Sequence, residues 1–81
     1  MVITPAVFIA LAQASVELQE LLAHHHTGDF GNLCAEDREV NRKAILRGCR
    51  VLSQYDLPTG ERIWIISDPG ARTTVLLARE Y

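Results

Sequence analysis

Three consecutive histidines, His24-His25-His26, are the first residues in this sequence whose type suggests chemistry. Successive side chains on a helix point about 100° apart, so the three cannot close on one metal ion. The sequence has no His-x-x-x-His or Cys-x-x-Cys pair, and no metal site or cofactor is expected. The positions also differ from one another. His24 continues a polar stripe and reads as solvated. His25 falls on an apolar stripe beside Leu18, Leu21 and Leu22. It reads first as a satisfied core or helix-end histidine. The competing reading is a general base, since an ordinary imidazole titrates near neutrality.

A second group is cationic: Arg50, Arg62, Arg72, with Thr73 and Thr74. Joined by His25 or His26, these side chains have the makings of a metal-free ribonuclease site. A His or a Glu would deprotonate a ribose hydroxyl and arginines would hold the phosphate, with His25, His26, Arg50, Arg72 and Thr74 as the candidate residues. The plainer reading is a set of charges closing the rim of a sheet. No Gly-rich phosphate loop follows a strand, and no Gly-x-Ser-x-Gly nucleophile motif is present. The acidic cluster Glu36, Asp37 and Glu39 fits the first turn of a helix.

The elements that must position these residues follow from spacing. Thr4-Pro5 is a helix start, with Thr as cap and Pro at the first helical position. Val7, Leu11, Ala14, Leu18, Leu21, Leu22 and His25 recur three and four apart, predicting one amphipathic helix over about 5–26. Ser15 offers a break near 14–16. The segment Thr27-Gly28-Asp29-Phe30-Gly31-Asn32 is a connection, with Phe30 as its plug into the core. Residues 35–47 predict a second, largely solvated helix, in which Val40, Ala44 and Ile45 make a narrow apolar stripe.

Residues 49–57, 61–67 and 72–78 read as three strands, parted by Pro58-Thr59-Gly60 and Asp68-Pro69-Gly70-Ala71. A three-residue first loop sets Leu57 opposite Glu61, Asp56 opposite Arg62 and Arg50 opposite Asp68. The expected fold is therefore α+β, a single domain over residues 1–81. Two N-terminal helices precede a three-stranded antiparallel meander.

The middle strand is apolar on both faces. One face carries Val51, Ser53, Tyr55, Ile63 and Ile65. The other carries Leu52, Gln54, Trp64 and Ile66, rimmed by Arg50, Asp56, Arg62 and Asp68. One long helix covers one face. The other calls for the short helix, a protein partner or a second copy in a homodimer. Leu52, Trp64, Ile66, Arg50 and Arg62 are thus the expected partner-binding residues.

At 81 residues the chain is near the lower size for one self-supporting core. With 48% hydrophobic residues and few Gly or Pro, it is neither a disordered tail nor a fibrous repeat. Residues 1–34 carry Glu17, Glu20 and Asp29 and no Lys or Arg. All 8 basic residues follow position 37. A net charge of −2 argues against a general nucleic-acid coat and against DNA binding, and RNA is a partner only under the ribonuclease reading. No apolar run is long enough for a membrane span. The first residues lack the basic region of a secretory signal, so Cys34 and Cys49 are expected as free thiols in the cytoplasm. The intervening helix, about 18 Å long, would hold them too far apart for a disulfide.

The order of motifs resembles a family of small proteins found on bacterial plasmids, phages and integrated elements. The matching residues are His26-Thr27-Gly28-Asp29-Phe30-Gly31-x-Leu33, Glu36-Asp37-x-x-x-Asn41 and Arg50-Val51-Leu52-Ser53-x-Tyr55-x-Leu57-x-Thr59-Gly60. They continue through Ile63-Trp64-Ile65-Ile66-Ser67-Asp68, Arg72-Thr73-Thr74-Val75-Leu76-Leu77 and Glu80-Tyr81. The resemblance covers about residues 18–81 and departs at Cys34, usually acidic or polar, and at Ala78, usually Pro. It carries no catalytic residues. It implies a mobile-element accessory protein, and the interaction-module reading adds the expectation that such a protein inhibits or modulates a host defence or replication system. The helix–helix–strand order is similar, at the level of fold alone, to toxin ribonucleases of the barnase and RelE type.

Overall fold

The three C-terminal strands are the scaffold, and their register follows from one turn. Pro58-Thr59-Gly60 makes a three-residue hairpin loop, closed by Gly60 N–H on the Leu57 carbonyl (3.0 Å) and Leu57 N–H on the Glu61 carbonyl (2.8 Å). β2 (Val51–Asp56) and β3 (Arg62–Ser67) then run antiparallel with Asp56 opposite Arg62 and Val51 opposite Ser67. The spacing predicts that register. β4 (Thr73–Leu77) pairs antiparallel with β3, setting Ile65 opposite Val75 and Ser67 opposite Thr73. The structure is a computed structural model that describes residues 1–31, 35–48, 50–68, 70 and 72–81. Cys34 and Cys49, and with them the expectation of free thiols, lie outside the described residues.

Two corrections apply to the expected architecture. Among the described residues the sheet has four strands, in the order β1-β4-β3-β2, because β1 (Val2–Ile3) adds to β4 in parallel. Two residues are too short to announce themselves by alternation, and their partner lies more than 70 positions away. Thr4 N–H bonds the Val75 carbonyl at 3.1 Å and continues the pairing. The sheet is therefore mixed, and not a pure meander.

Among the described residues the helical part is three α-helices, not two. The predicted 5–26 helix is divided into α1 (Pro5–Ala14) and α2 (Leu18–His26), bent by 104°. The break is at Ser15, which holds a left-handed conformation (φ 55°, ψ 41°). Val16 N–H returns to the Leu11 carbonyl at 3.1 Å, and Val16 packs on the core beside Leu11. This is the bonding of a Schellman-type helix stop, made here by a serine. No single helix among the described residues is long and apolar enough to cross a membrane.

α1 and α2 cover one face of the sheet. Val7, Ala10, Leu11 and Leu21 pack with Tyr55, Ile63, Ile65, Val75 and Leu77 in one buried cluster. α3 (Ala35–Arg47) lies against β2. It turns Asn41 and Ala44 inward and leaves Val40 and Ile45 exposed. At the far end, a 3₁₀ turn over Ala78–Glu80 brings the Glu80 carboxylate onto Leu77 N–H (2.9 Å) and the Thr4 hydroxyl (2.7 Å). These bonds hold the Glu80 carboxyl below the usual carboxylate range and tie the chain entering α1 to the end of β4.

Candidate functional site

The imidazole of His25 is enclosed. It sits near the end of α2, on the side facing the sheet, and is only 6% exposed. Nδ1 lies 2.5 Å from the Ser53 hydroxyl on β2, and Nε2 lies 2.7 Å from the Ser67 hydroxyl on β3. Ser67 Oγ in turn lies 3.0 Å from Thr73 Oγ1 on β4. One helix is thereby joined to three strands by a chain of side-chain hydrogen bonds. A neutral imidazole has one donor and one acceptor nitrogen, so one hydroxyl donates to the ring and the other accepts from it. Burial pushes the His25 pKa below its ordinary value, and neighbouring His26 adds to the effect. The ring stands neutral with both nitrogens satisfied, as the apolar-stripe position leads one to expect.

The other histidines face water. His24 Nδ1 lies 3.0 Å from the Asp29 carboxylate. His26 is exposed, with its ring 5.6 Å from that of His25. No group of three or more His, Cys, Asp or Glu among the described residues is placed to hold a metal ion.

The residues of the ribonuclease reading do not form one open cluster. Thr74 pairs with Ile66 and projects to the sheet face opposite His25. Arg50 Nε is held by Asp68 at 2.6 Å. Arg72 is exposed, and its carbonyl accepts from Asp68 N–H at 2.9 Å. His25 reaches Ser53 and Ser67, which sequence reasoning did not single out as its partners, and through Ser67 it meets Thr73, which the ribonuclease reading does group with it. Their signal was weak: hydroxyl residues on the inward face of otherwise apolar strands.

The second sheet face carries the residues expected to meet a partner. Ile66 and Leu76 are buried, whereas Leu52 and Trp64 are half-buried. Trp64 donates Nε1–H to the Gln54 side-chain oxygen at 3.1 Å. The Tyr81 ring lies across it, centroids 5.2 Å apart and tilted by 57°. Tyr81 itself is 75% exposed. Two ion pairs flank the aromatic pair on the same strands, Arg50–Asp68 and Arg62–Asp56 at 3.2 Å. Asp68 raises the Arg50 pKa further, with a smaller contribution from Tyr81. Four of the five expected contact residues are therefore at least partly accessible, and Ile66 is not.

The outer edge of β2 is closed from within the chain. Gln54 N–H bonds the Phe30 carbonyl at 3.1 Å, and Gly31 bridges to Gln54 in parallel. Phe30 is buried, as the plug expected of that loop. Asn41 fills the next position by pairing its side-chain amide with the backbone of Leu52. The backbone of β2 is thus met at Leu52 and Gln54 from within the chain, which blunts this edge of the sheet as a template for an incoming strand. No protein-family model, curated protein or solved structure matches this chain.

Proposed function

We propose that the protein is a non-enzymatic interaction module whose contact surface centres on Trp64 and Tyr81. The observation that carries this reading is the exposed Tyr81 ring lying over a half-buried Trp64 inside a rim of two Arg–Asp pairs. Aromatic centres with polar rims are what protein interfaces concentrate, and Trp, Tyr and Arg supply most of their binding energy. The resemblance to small mobile-element proteins supplies a context: a cytoplasmic accessory factor that inhibits or modulates a host defence or replication protein. The ribonuclease alternative has less support, because its best-placed imidazole is enclosed and its threonine faces away.

The test is capture of host proteins on the immobilised chain, with Tyr81→Ala and Arg62→Glu alongside. Both positions are exposed, so folding is expected to persist. The reading requires a captured protein that both variants lose, together with no cleavage of total RNA. Capture unchanged in both variants, or RNA cleavage abolished by His26→Ala, overturns it.

A further inference from the structure

The helix α1 carries apolar residues on its outer side as well as its inner one, Gln13 being its single polar side chain. Its ten residues carry no charge. Val7, Ala10 and Leu11 are buried against the sheet. Pro5, Phe8, Ile9 and Ala12 form a second stripe, again at spacings of three and four, and all four are exposed. Phe8 is 55% and Ile9 62% exposed. A helix that carries apolar residues on its outer side too ordinarily buries them, whereas here only the inner side is covered.

We propose that this outer stripe is a self-association surface, on which α1 packs antiparallel against α1 of a second copy about a two-fold axis. The argument is self-complementarity. A two-fold interface must supply every protrusion and the recess that receives it from one and the same patch. Phe8 and Ala12, a large and a small residue, stand one turn apart on this stripe. Antiparallel pairing centred between them sets each Phe8 against the other copy's Ala12. Beside Ala12 a groove of about 490 Å³ opens in the bend between α1 and α2, floored by Leu11, Val16 and Leu18. Its floor offers the other copy's Phe8 ring apolar contacts beside the first copy's own Phe8, with Glu17 and Gln19 at its polar side.

The charges agree. Two copies of a charge-free helix meet without like-charge repulsion. Antiparallel alignment sets the positive end of each helix dipole beside the negative end of the other. Glu17, in the lining of the same groove, lies just beyond the C-terminal end of α1. There it stands on the side of the other copy's helix N-terminus, where a carboxylate is favoured. This contact goes beyond the function proposed above. It uses the helical side of the molecule and leaves Trp64 and Tyr81, on the opposite face of the sheet, free for another protein.

Sedimentation equilibrium from micromolar to millimolar protein tests it. The average mass is expected to rise from 9.0 kDa toward twice that value. Phe8→Ala and Ala12→Phe should each weaken the dimer about tenfold or more, as loss of a central interface contact does. The double variant Phe8→Ala/Ala12→Phe should recover most of the affinity, because large and small have changed places. Ala12→Glu should leave a monomer with unchanged circular dichroism. A chain that is monomeric throughout overturns the proposal. So does a dimer indifferent to Ala12→Glu, or one that both single variants weaken and the double variant does not restore. Tyr81→Ala is expected to leave the dimer intact, which separates failure of this contact from failure of the Trp64 surface.

Discussion

The side-chain amide of Asn41 on α3 stands in for a fifth strand by engaging both backbone groups of Leu52. Its Nδ2 donates to the Leu52 carbonyl, and its Oδ1 accepts from Leu52 N–H at 3.2 Å. Asn41 is 4% exposed, so neither group of Leu52 has ready access to replacement water. An amide is the one side chain that offers a donor and an acceptor in the spacing of a peptide group. Asn41→Ala should therefore destabilise the fold by about 2 kcal/mol, the cost of leaving buried partners unmet. Asn41→Asp should recover little, since a carboxylate cannot donate to the Leu52 carbonyl. Urea unfolding of the three proteins at neutral pH decides this, and equal midpoints would refute it.

The enclosure of His25 makes stability depend on pH in one direction. Burial lowers its folded pKa, so below about 6.5 the unfolded chain binds the proton more readily than the folded one. This contribution is absent above that pH, where the ring is neutral in both states. It grows unfavourable as the pH falls through the window beneath 6.5. Unfolding free energy measured between pH 8 and pH 5 should decline in the native sequence. The decline should be shallower in His25→Asn, which keeps polar atoms but does not titrate. A slope that is the same in both would remove His25 as its source.

Removing the imidazole altogether should cost more than its charge behaviour implies. His25→Ala leaves the Ser53 hydroxyl, fully buried, without the nitrogen it meets, and opens space beneath α2. About 1–3 kcal/mol is expected for the orphaned hydroxyls. Adding Ser53→Ala to His25→Ala should recover part of that loss, because an apolar site has no bond left to miss. A double variant less stable than the single one would argue against this account.

Ser15 occupies a position for which it is poorly suited. A left-handed backbone costs a residue with a Cβ about 1 kcal/mol, and glycine adopts it freely. Ser15 is exposed. Ser15→Gly should accordingly be neutral or stabilising by up to about 1 kcal/mol, with the bend between α1 and α2 retained. Ser15→Val should destabilise. A melting temperature that falls for Ser15→Gly would mean that the serine hydroxyl has a role the geometry does not reveal.

What could be read in the sequence, and what could not, divides by range. The β2–β3 register follows from one three-residue loop, and the two opposite-charge pairs which that register sets together, Arg50–Asp68 and Arg62–Asp56, both form ion pairs. His25 was legible as an inward-facing residue, from its place on the apolar stripe. Its partners were not, because Ser53 and Ser67 lie 28 and 42 positions away and look like ordinary strand residues. The division of the first helix was visible only as an option. Ser15 is neither Gly nor Pro, and the apolar spacing runs on through the break. β1 is the clearest loss: Val2 and Ile3 acquire meaning only when β4 is beside them. Ile66 was expected at a contact surface because parity placed it beside Trp64. Parity gives the face of a strand and says nothing of how deeply that part of the face is covered.

Gly31 combines two requirements that a single comparison can separate. Its φ of +73° is one that side chains rarely adopt, and its backbone bridges to Gln54 on the edge of β2. A Cβ there would lie 2.1 Å from the Gln54 carbonyl oxygen and 2.6 Å from the Tyr55 ring. The Gln54 oxygen belongs to the sheet backbone, so it cannot swing aside as a flexible side chain would. Gly28 shares the backbone requirement, at φ +85°, and a Cβ there would meet nothing within 4 Å. Gly28→Ala should therefore cost about 1 kcal/mol, the backbone strain alone. Gly31→Ala should cost about 3 kcal/mol, strain plus overpacking. It should also loosen the loop that covers Gln54, and hydrogen exchange at the Gln54 amide would report this. Equal losses from the two substitutions would mean that the loop moves off β2 at little cost, and that the strand edge is less firmly closed than the Gly31–Gln54 contact implies.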